Sequence, residues 1–179
     1  QLARRAGLET YGCDSTRKHQ QIEADGAVPI DRHDPDALRT LRRLSDGGVD
    51  CVIDVVGGPG QLIRSCRSLR RGGRLLMLGM AGTKSHGMRI ILPSLVTTAI
   101  LAIWPDGRRI ASGAGMENYP QAHADWCRET LAGLFDLAAN GVLDPHISAS
   151  VPLSEAPAAH GMLEDGQVLG KLVLVAGGP

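Results

Sequence analysis

Aromatic residues are scarce in this chain of 179 residues, at 3% of the sequence, so any core must be built from aliphatic side chains. An apolar content of 43% is enough for one domain of ordinary size. The 19 basic residues balance the 19 acidic ones, and we therefore expect neither nucleic acid nor an anionic membrane surface as a partner. The longest apolar run, residues 90–104, is too short to span a bilayer, and no signal-peptide pattern is visible.

Metal-binding patterns are missing as well. The four cysteines form no Cys-x-x-Cys pair, and the six histidines do not recur at metal-ligand spacing, so the sequence predicts no metal site. Cys13 and Cys51 lie in apolar segments typical of strands, where we expect buried, reduced thiols. This use of cysteine indicates a reducing compartment, and we expect a cytoplasmic protein.

The glycine fingerprint of dinucleotide-binding folds, G-x-G-x-x-G between a first strand and a first helix, is also absent. The chain opens on residues 1–6, which read as the last turns of a helix that stops at Gly7. We therefore expect this sequence to be a piece of a longer protein, in which a glycine loop precedes Gln1.

Strand-like and helix-like segments alternate along the chain. In the first half we predict strands at 8–13, 27–30, 49–56 and 74–80, and helices at 15–26, 34–45 and 60–73. In the second half we predict strands at 109–116, 146–153 and 170–177, and helices at 92–104, 120–141 and 154–166. Strands that are joined by helical crossovers run parallel, so the first half predicts an α/β fold with a doubly wound parallel sheet.

Two of the predicted strands end in a similar way. One passes through Asp54 and is followed by Gly57 and Gly58, and the next along the chain ends in residues 78–80, Leu-Gly-Met. Ligands of open parallel sheets bind at the carboxyl ends of the strands, where glycine lets a flat ligand approach the backbone. We expect both segments to line one crevice, although turn formation alone explains the glycines equally well.

The end of the first predicted strand carries groups that suit the adenosine end of a dinucleotide. Asp14 stands where such folds carry an acid for the ribose, and Ser15, Arg17 and Lys18 could accept a 2′-phosphate instead. From the residues alone, a helix cap beside two exposed basic side chains explains this stretch more simply.

Five segments, in order, resemble the medium-chain dehydrogenase/reductase superfamily, and most closely its zinc-independent quinone oxidoreductase-like branch. They are QLARRAG, YGCDSTRKHQQIEADGAVPID, GGVDCVIDVVGG, SLRRGGRLLMLGMAG and VPLSEAPAAHGMLEDGQVLGKLVLV. The resemblance implies that residues 1–145 form a Rossmann-type NAD(P)-binding domain, incomplete at its N-terminus. It further implies that residues 146–179 form a C-terminal segment that packs on a catalytic domain absent from this sequence.

The resemblance also implies the cofactor contacts. The adenosine end would be held by Asp14, Ser15, Arg17 and Lys18, and a phosphate would be faced by Lys171. The rest of the dinucleotide would lie along Val56, Gly57, Leu78, Gly79 and Met80. The carboxylate of Asp14 favours NAD(H), whereas the neighbouring cations favour NADP(H), toward which we lean. No catalytic or metal-binding residue of this chain is implied.

The implied activity is hydride transfer from NAD(P)H to a quinone, an enone or a related carbonyl compound, in a homodimer that pairs through a strand near residues 109–116. We expect the chain alone to be inactive because the catalytic domain is missing. Two alternatives stay open. One is a non-catalytic nucleotide-binding or dimerisation module, and the other is a class I methyltransferase-like domain, which uses similar strands but needs a glycine loop of its own.

Overall fold

Strands and helices alternate along most of the described part of the chain, which comprises residues 1–79, 89, 91–113 and 119–177 of a computed structural model. The β-strands are β1 (Tyr11–Asp14), β2 (Val28–Asp31), β3 (Val49–Asp54), β4 (Leu69–Met77), β5 (Arg109–Ser112), β6 (Ile147–Pro152) and β7 (Lys171–Val175). The α-helices are α1 (Leu2–Arg5), α2 (His19–Ala24), α3 (Ala37–Leu44), α4 (Pro59–Ser68), α5 (Ile91–Ala102), α6 (Tyr119–Ala122), α7 (Ala124–Ala139) and α8 (Ala156–Glu164). Short 3₁₀ turns at Thr16–Lys18 and Leu153–Glu155 precede α2 and α8. The predicted α/β fold is confirmed.

The chain divides into two compact units. Residues Thr10–Ala124 form one unit, which contains β1 to β5 together with the helices between them. The other unit consists of Gln1–Glu9 and the residues from Asp125 onward, and it contains β6, β7 and α8. The domain boundary predicted at residue 145 refers to the whole protein and stays a prediction.

The strand pairs in the described ranges are all parallel, as the helical crossovers predict. β1 pairs with β2 from Tyr11↔Val28 to Asp14↔Asp31. β4 lies between β3 and β5, and β6 pairs with β7. Parallel pairing brings the carboxyl ends of neighbouring strands to the same edge of each sheet.

The doubly wound sheet of the first unit is present as two hydrogen-bonded parts, β1–β2 and β3–β4–β5. In the Rossmann strand order, the first strand lies in the middle of the sheet, between the second and the fourth. The break between the β1–β2 part and the β3–β4–β5 part falls where that first Rossmann strand would lie. This agrees with the prediction of a sheet that is incomplete at its N-terminus.

The main core of this unit lies between α4 and β4. Helical spacing places Leu62 and Cys66 of α4 one turn apart on one face, and β4 contributes Leu69 and Leu75, which are fully buried. Partly buried side chains of β3, β5 and α5 surround these four residues. Burial of each leucine stabilises the fold by about 2 kcal/mol.

β4 begins at Leu69, whereas the sequence predicted that the preceding helix continues to residue 73. A long-range contact explains the difference. A Cβ on Gly48, whose φ is +142°, would lie 2.7 Å from the amide nitrogen of Arg70, so only glycine lets the two backbones approach here. Val49 therefore pairs with Leu69, and the same pair of strands brings Asp54 beside Met77 at its other end.

Two predictions in the second half are corrected in detail. The single helix predicted at 120–141 is divided into α6 and α7 on either side of His123. The strand predicted at 109–116 is β5 as far as Ser112, and residues 114–118 lie outside the described ranges. Among the helices whose residues are described, none combines the length and apolarity that crossing a bilayer requires.

Candidate functional site

The carboxyl ends of β3, β4 and β5 meet at one edge of the three-stranded sheet. The amide of Leu78, just beyond β4, donates to the backbone oxygen of Asp54 at 2.9 Å. The amide of Gly113, just beyond β5, donates to the backbone oxygen of Met77 at 2.7 Å. Parallel pairing thus continues past the strands, and the segments that leave them lie side by side.

Asp54 organises the turn that leaves β3, residues 55–58. Its side chain is 3% exposed, and its Oδ1 accepts hydrogen bonds from the amides of Val56 and Gly57, both at 2.9 Å. An aspartate that accepts from amides two and three residues ahead is typical of a tight turn. Gly57 and Gly58 have φ values of +70° and +87°, which glycine adopts without strain, and α4 starts directly afterwards.

Gly79 brings the segment after β4 against this turn. A Cβ at Gly79 would lie 3.1 Å from the carbonyl oxygen of Val55, so the absence of a side chain allows the close approach. Val56 and Leu78 are 46% and 50% exposed. These two apolar side chains and the neighbouring glycine backbone, at Gly57 and Gly79, form what we call the strand-end ledge. Met80, the remaining residue predicted for this site, lies outside the described ranges.

A charged cluster lies at the carboxyl ends of β1 and β2. Lys18 Nζ donates to Asp14 Oδ2 at 3.0 Å, and the amide of Ser15 donates to Asp14 Oδ1 at 2.8 Å. Arg32, the residue after β2, places its guanidinium 3.7 Å from Asp14 Oδ1 and donates its amide to the Asp14 backbone oxygen at 3.0 Å. Of the predicted residues, Asp14, Ser15 and Lys18 are therefore brought together.

Arg32 is a member of this cluster that sequence reasoning missed. The register of the β1–β2 pair places Asp14 opposite Asp31, so the next residue of β2 comes beside the Asp14 carboxylate. The signal that could have found it is the pairing of β1 with β2, since strand ends of one parallel pair lie at one edge.

The environment of Asp14 keeps its carboxyl ionised at neutral pH. Partial burial, the largest influence, raises the pKa of Asp14, but the Ser15 amide, Lys18 and Arg32 together outweigh it and lower that pKa below its usual value. Lys18 and Arg32 have side chains that are 28% and 57% exposed, so solvent and a bound anion can both reach them.

Two other cationic residues, Arg17 and Lys171, were also predicted to meet the cofactor. Arg17 lies in the exposed 3₁₀ turn before α2. Lys171 is the exposed first residue of β7, in the second unit, and its amide donates to the backbone oxygen of His146 at 2.9 Å. The roles of both residues stay predictions.

The predicted burial of two cysteines is wrong, because Cys13 and Cys51 are both exposed. Side chains of a strand alternate between the faces of a sheet, and these two lie where no described element covers them. Within the described ranges, no three His, Cys, Asp or Glu side chains come together as potential metal ligands.

Comparison with known proteins places this chain in a family. The sequence profile described as zinc-binding dehydrogenase matches residues 22–174. The chain is 25% identical over 178 residues to the synaptic vesicle membrane protein VAT-1 homolog of Homo sapiens. The matched region covers 95% of this chain and 44% of that protein.

Solved structures show the same likeness. The quinone oxidoreductase of Coxiella burnetii is 28% identical with a TM-score of 0.68, over 96% of this chain and 46% of that one. A structure described as a probable oxidoreductase from Mycobacterium abscessus is 27% identical with a TM-score of 0.70, over 97% of this chain and 48% of that one. The chain thus spans less than half the length of each of these relatives. It belongs to the zinc-binding dehydrogenase family, within the quinone oxidoreductase-like branch of the medium-chain dehydrogenase/reductase superfamily.

Proposed function

We propose that this chain is the cofactor-binding part of an NAD(P)H-dependent oxidoreductase that transfers hydride to a quinone, an enone or a related carbonyl compound. The observation that carries the proposal is the strand-end ledge, where two exposed apolar side chains and two glycines meet at the carboxyl edge of a parallel sheet. That edge is where open α/β sheets bind their ligands. Family membership implies a nicotinamide cofactor, and the ledge suits a flat ring and the chain of atoms attached to it.

Each member of the ledge has a defined task in this proposal. Val56 and Leu78 offer apolar surface that excludes water from one face of the bound ring, and Gly57 and Gly79 let the ligand approach the backbone. Met80 is proposed as a further contact of the cofactor. When bound, the nicotinamide supplies the hydride, while the chain binds and orients it. The family name refers to zinc, but the described side chains offer no ligand set for it, and the proposal gives a metal no role.

The charged cluster supports NADP(H) over NAD(H). Both oxygens of the Asp14 carboxylate already have partners, since Oδ1 accepts from the Ser15 amide and Oδ2 accepts from Lys18. The carboxylate therefore acts as a counter-ion that orients Lys18 and Arg32, and these partners leave it fewer lone pairs for ribose hydroxyls. One acidic and two basic side chains leave a net positive charge, which favours the 2′-phosphate of NADP(H). Ser15, Arg17 and Lys171 are proposed as further polar contacts of the cofactor.

A titration of the full-length protein with NADPH and NADH tests this preference. Lys18→Gln and Arg32→Gln should each raise the Kd for NADPH about tenfold, which corresponds to about 1.4 kcal/mol, because each removes a charge-assisted contact to phosphate. The Kd for NADH should stay within about twofold, because that cofactor lacks the 2′-phosphate.

Arg39→Gln is the matched control. Arg39 lies on α3 and pairs at 3.2 Å with Asp36, the residue before that helix. Its side chain is 83% exposed, so the variant removes one positive charge outside the cluster. Neither Kd should change. Tighter binding of NADH than of NADPH by the unmodified protein would contradict the preference for NADP(H).

Two further parts of the proposal concern the whole protein. Homodimer formation through β5 is supported by its position at an edge of the three-stranded sheet in the described ranges, and light scattering of the full-length protein measures it. A cytoplasmic location is supported by the four free thiols. A full-length protein that binds NADPH but reduces neither quinones nor enones would favour the non-catalytic nucleotide-binding module.

A further inference from the structure

We propose that Asp54 is a positioning residue for the cofactor, whose buried carboxylate holds the turn at residues 55–58 in the shape that the dinucleotide meets. This inference rests on the proposed function, because it names the residue that gives the strand-end ledge its form. Asp54 is not expected to touch the cofactor, since its side chain is buried behind the turn.

The first argument is the free-energy cost of burying the carboxylate of Asp54. Asp54 is 3% exposed at the end of a strand, where an aliphatic side chain would pack without any need for partners. The three hydrogen bonds to its carboxylate come from two backbone amides and one hydroxyl, all of them uncharged donors. A buried carboxylate that faces only neutral donors is expensive for stability. The three hydrogen bonds offset part of this cost, and what they hold in place indicates what the residue does.

The second argument is what the three bonds fix. Oδ1 accepts from two successive amides and so sets the conformation of Val56 and Gly57. Oδ2 accepts from the hydroxyl of Ser65 on α4 at 2.7 Å, and Gln61 Nε2 donates to the same hydroxyl at 3.3 Å. The turn is thereby tied to the second turn of the helix that follows it. The amides of Val56 and Gly57 point inward to the carboxylate, so the ligand meets the Val56 side chain and the glycine backbone.

The third argument is that the same residue joins both halves of the ledge. The backbone oxygen of Asp54 accepts from the amide of Leu78, while its side chain holds Val56 and Gly57. Gly79 then packs against the carbonyl of Val55 within the turn. A change in the turn therefore alters both parts of the ledge on which the cofactor is proposed to lie.

The test compares variants of the full-length protein by NADPH titration and steady-state kinetics. Asp54→Leu removes both side-chain acceptors and should raise both the Kd and the KM for NADPH about tenfold or more, because the turn loses its anchor. The kcat at saturating NADPH should stay within about threefold, because no catalytic group has changed. Asp54→Asn keeps the oxygen that accepts both amides and can donate to Ser65, so it should restore Kd to within about threefold of the original value.

Ser65 supplies an independent arm of the test. Ser65→Ala removes only the tie to α4 and should raise the Kd for NADPH about threefold to fivefold. In the Asp54→Leu background the same substitution should have no further effect on Kd, because the two residues act as one unit. If Asp54→Leu does not fold, Ser65→Ala and Asp54→Asn still decide the question. An unchanged Kd in Ser65→Ala would then overturn the proposal.

Leu75→Ala is the control for a role in stability alone. Leu75 is fully buried in the core between α4 and β4, and it belongs to neither the turn nor the ledge. Its truncation should lower the unfolding temperature while leaving the Kd of the folded protein for NADPH unchanged. Asp54→Leu overturns the proposal if it behaves as Leu75→Ala does. If the unmodified protein binds neither NADPH nor NADH, the proposed function itself fails, and the role of Asp54 fails with it. Failure of the Asp54 variants alone leaves the proposed function standing.

Discussion

Replacement of Gly48 by alanine should be far more destabilising than replacement of its neighbour Gly47. Both residues have a positive φ, +142° for Gly48 and +96° for Gly47, so alanine is strained at either position. The surroundings differ, because a Cβ at Gly48 would lie within 2.9 Å of three backbone atoms of residues 68–70, whereas a Cβ at Gly47 would meet nothing within 4 Å. The pair therefore separates the cost of backbone strain from the cost of contact.

The magnitudes follow from these two costs. Strain at a φ that only glycine favours costs about 1–3 kcal/mol, and both variants carry it. The contacts at Gly48 are with backbone, which cannot rotate away, and relief by shifting β3 against β4 costs roughly a further 1–3 kcal/mol. We therefore expect Gly48→Ala to lower the free energy of unfolding by about 2 kcal/mol more than Gly47→Ala does.

Urea unfolding of the full-length variants measures this difference. With a slope of about 2 kcal/mol/M, the midpoint of Gly48→Ala should lie about 1 M below that of Gly47→Ala. The Kd for NADPH should also rise in Gly48→Ala, because the register of β3 on β4 sets the position of Asp54 beside Met77. Equal midpoints for the two variants would refute the conclusion that close approach of the backbones at Gly48 draws Leu69 into β4.

Two other predictions concern stability. Gly133 lies inside α7 with open space around it, so Gly133→Ala should raise the free energy of unfolding by about 1 kcal/mol in the same assay, and Gly141→Ala, where φ is +67°, should lower it. Burial raises the pKa of Asp14 in the folded state, but Ser15, Lys18 and Arg32 outweigh it, so the pKa is lowered. The stabilisation of the fold by the ionised Asp14 is therefore complete above the unfolded pKa of about 3.9, and it is lost as the pH falls through the lower folded pKa. Urea midpoints measured from neutral to acidic pH should fall less steeply in Asp14→Asn, and parallel profiles would contradict this account.

The parts of the fold that depend on local pattern were predictable from the sequence. Parallel pairing followed from the helical crossovers, and the face of α4 that carries Leu62 and Cys66 followed from helical spacing. The strand ends at Asp54 and Gly79 were also correctly placed at one edge, because parallel strands bring their carboxyl ends together.

The parts that depend on distant contacts were not predictable in this way. Leu69 joins β4 because of a backbone contact with Gly48, some twenty residues earlier, and helical propensity carries no trace of it. Arg32 joins Asp14 through the register of two strands, and the exposure of Cys51 depends on which sheet face other elements cover. The role of Asp54 lies between these cases, since its bonds to the next amides are local, whereas its bond to Ser65 needs the helix to be in place.

The parallel pairing of every described strand has a consequence for how the polypeptide folds. A parallel pair cannot close as a local hairpin, so each ladder must wait until its crossover has brought distant segments together. Folding should accordingly be slow compared with that of helical bundles. During synthesis the earlier strand of each pair emerges from the ribosome well before its partner, and its apolar face must be protected until the later segment arrives.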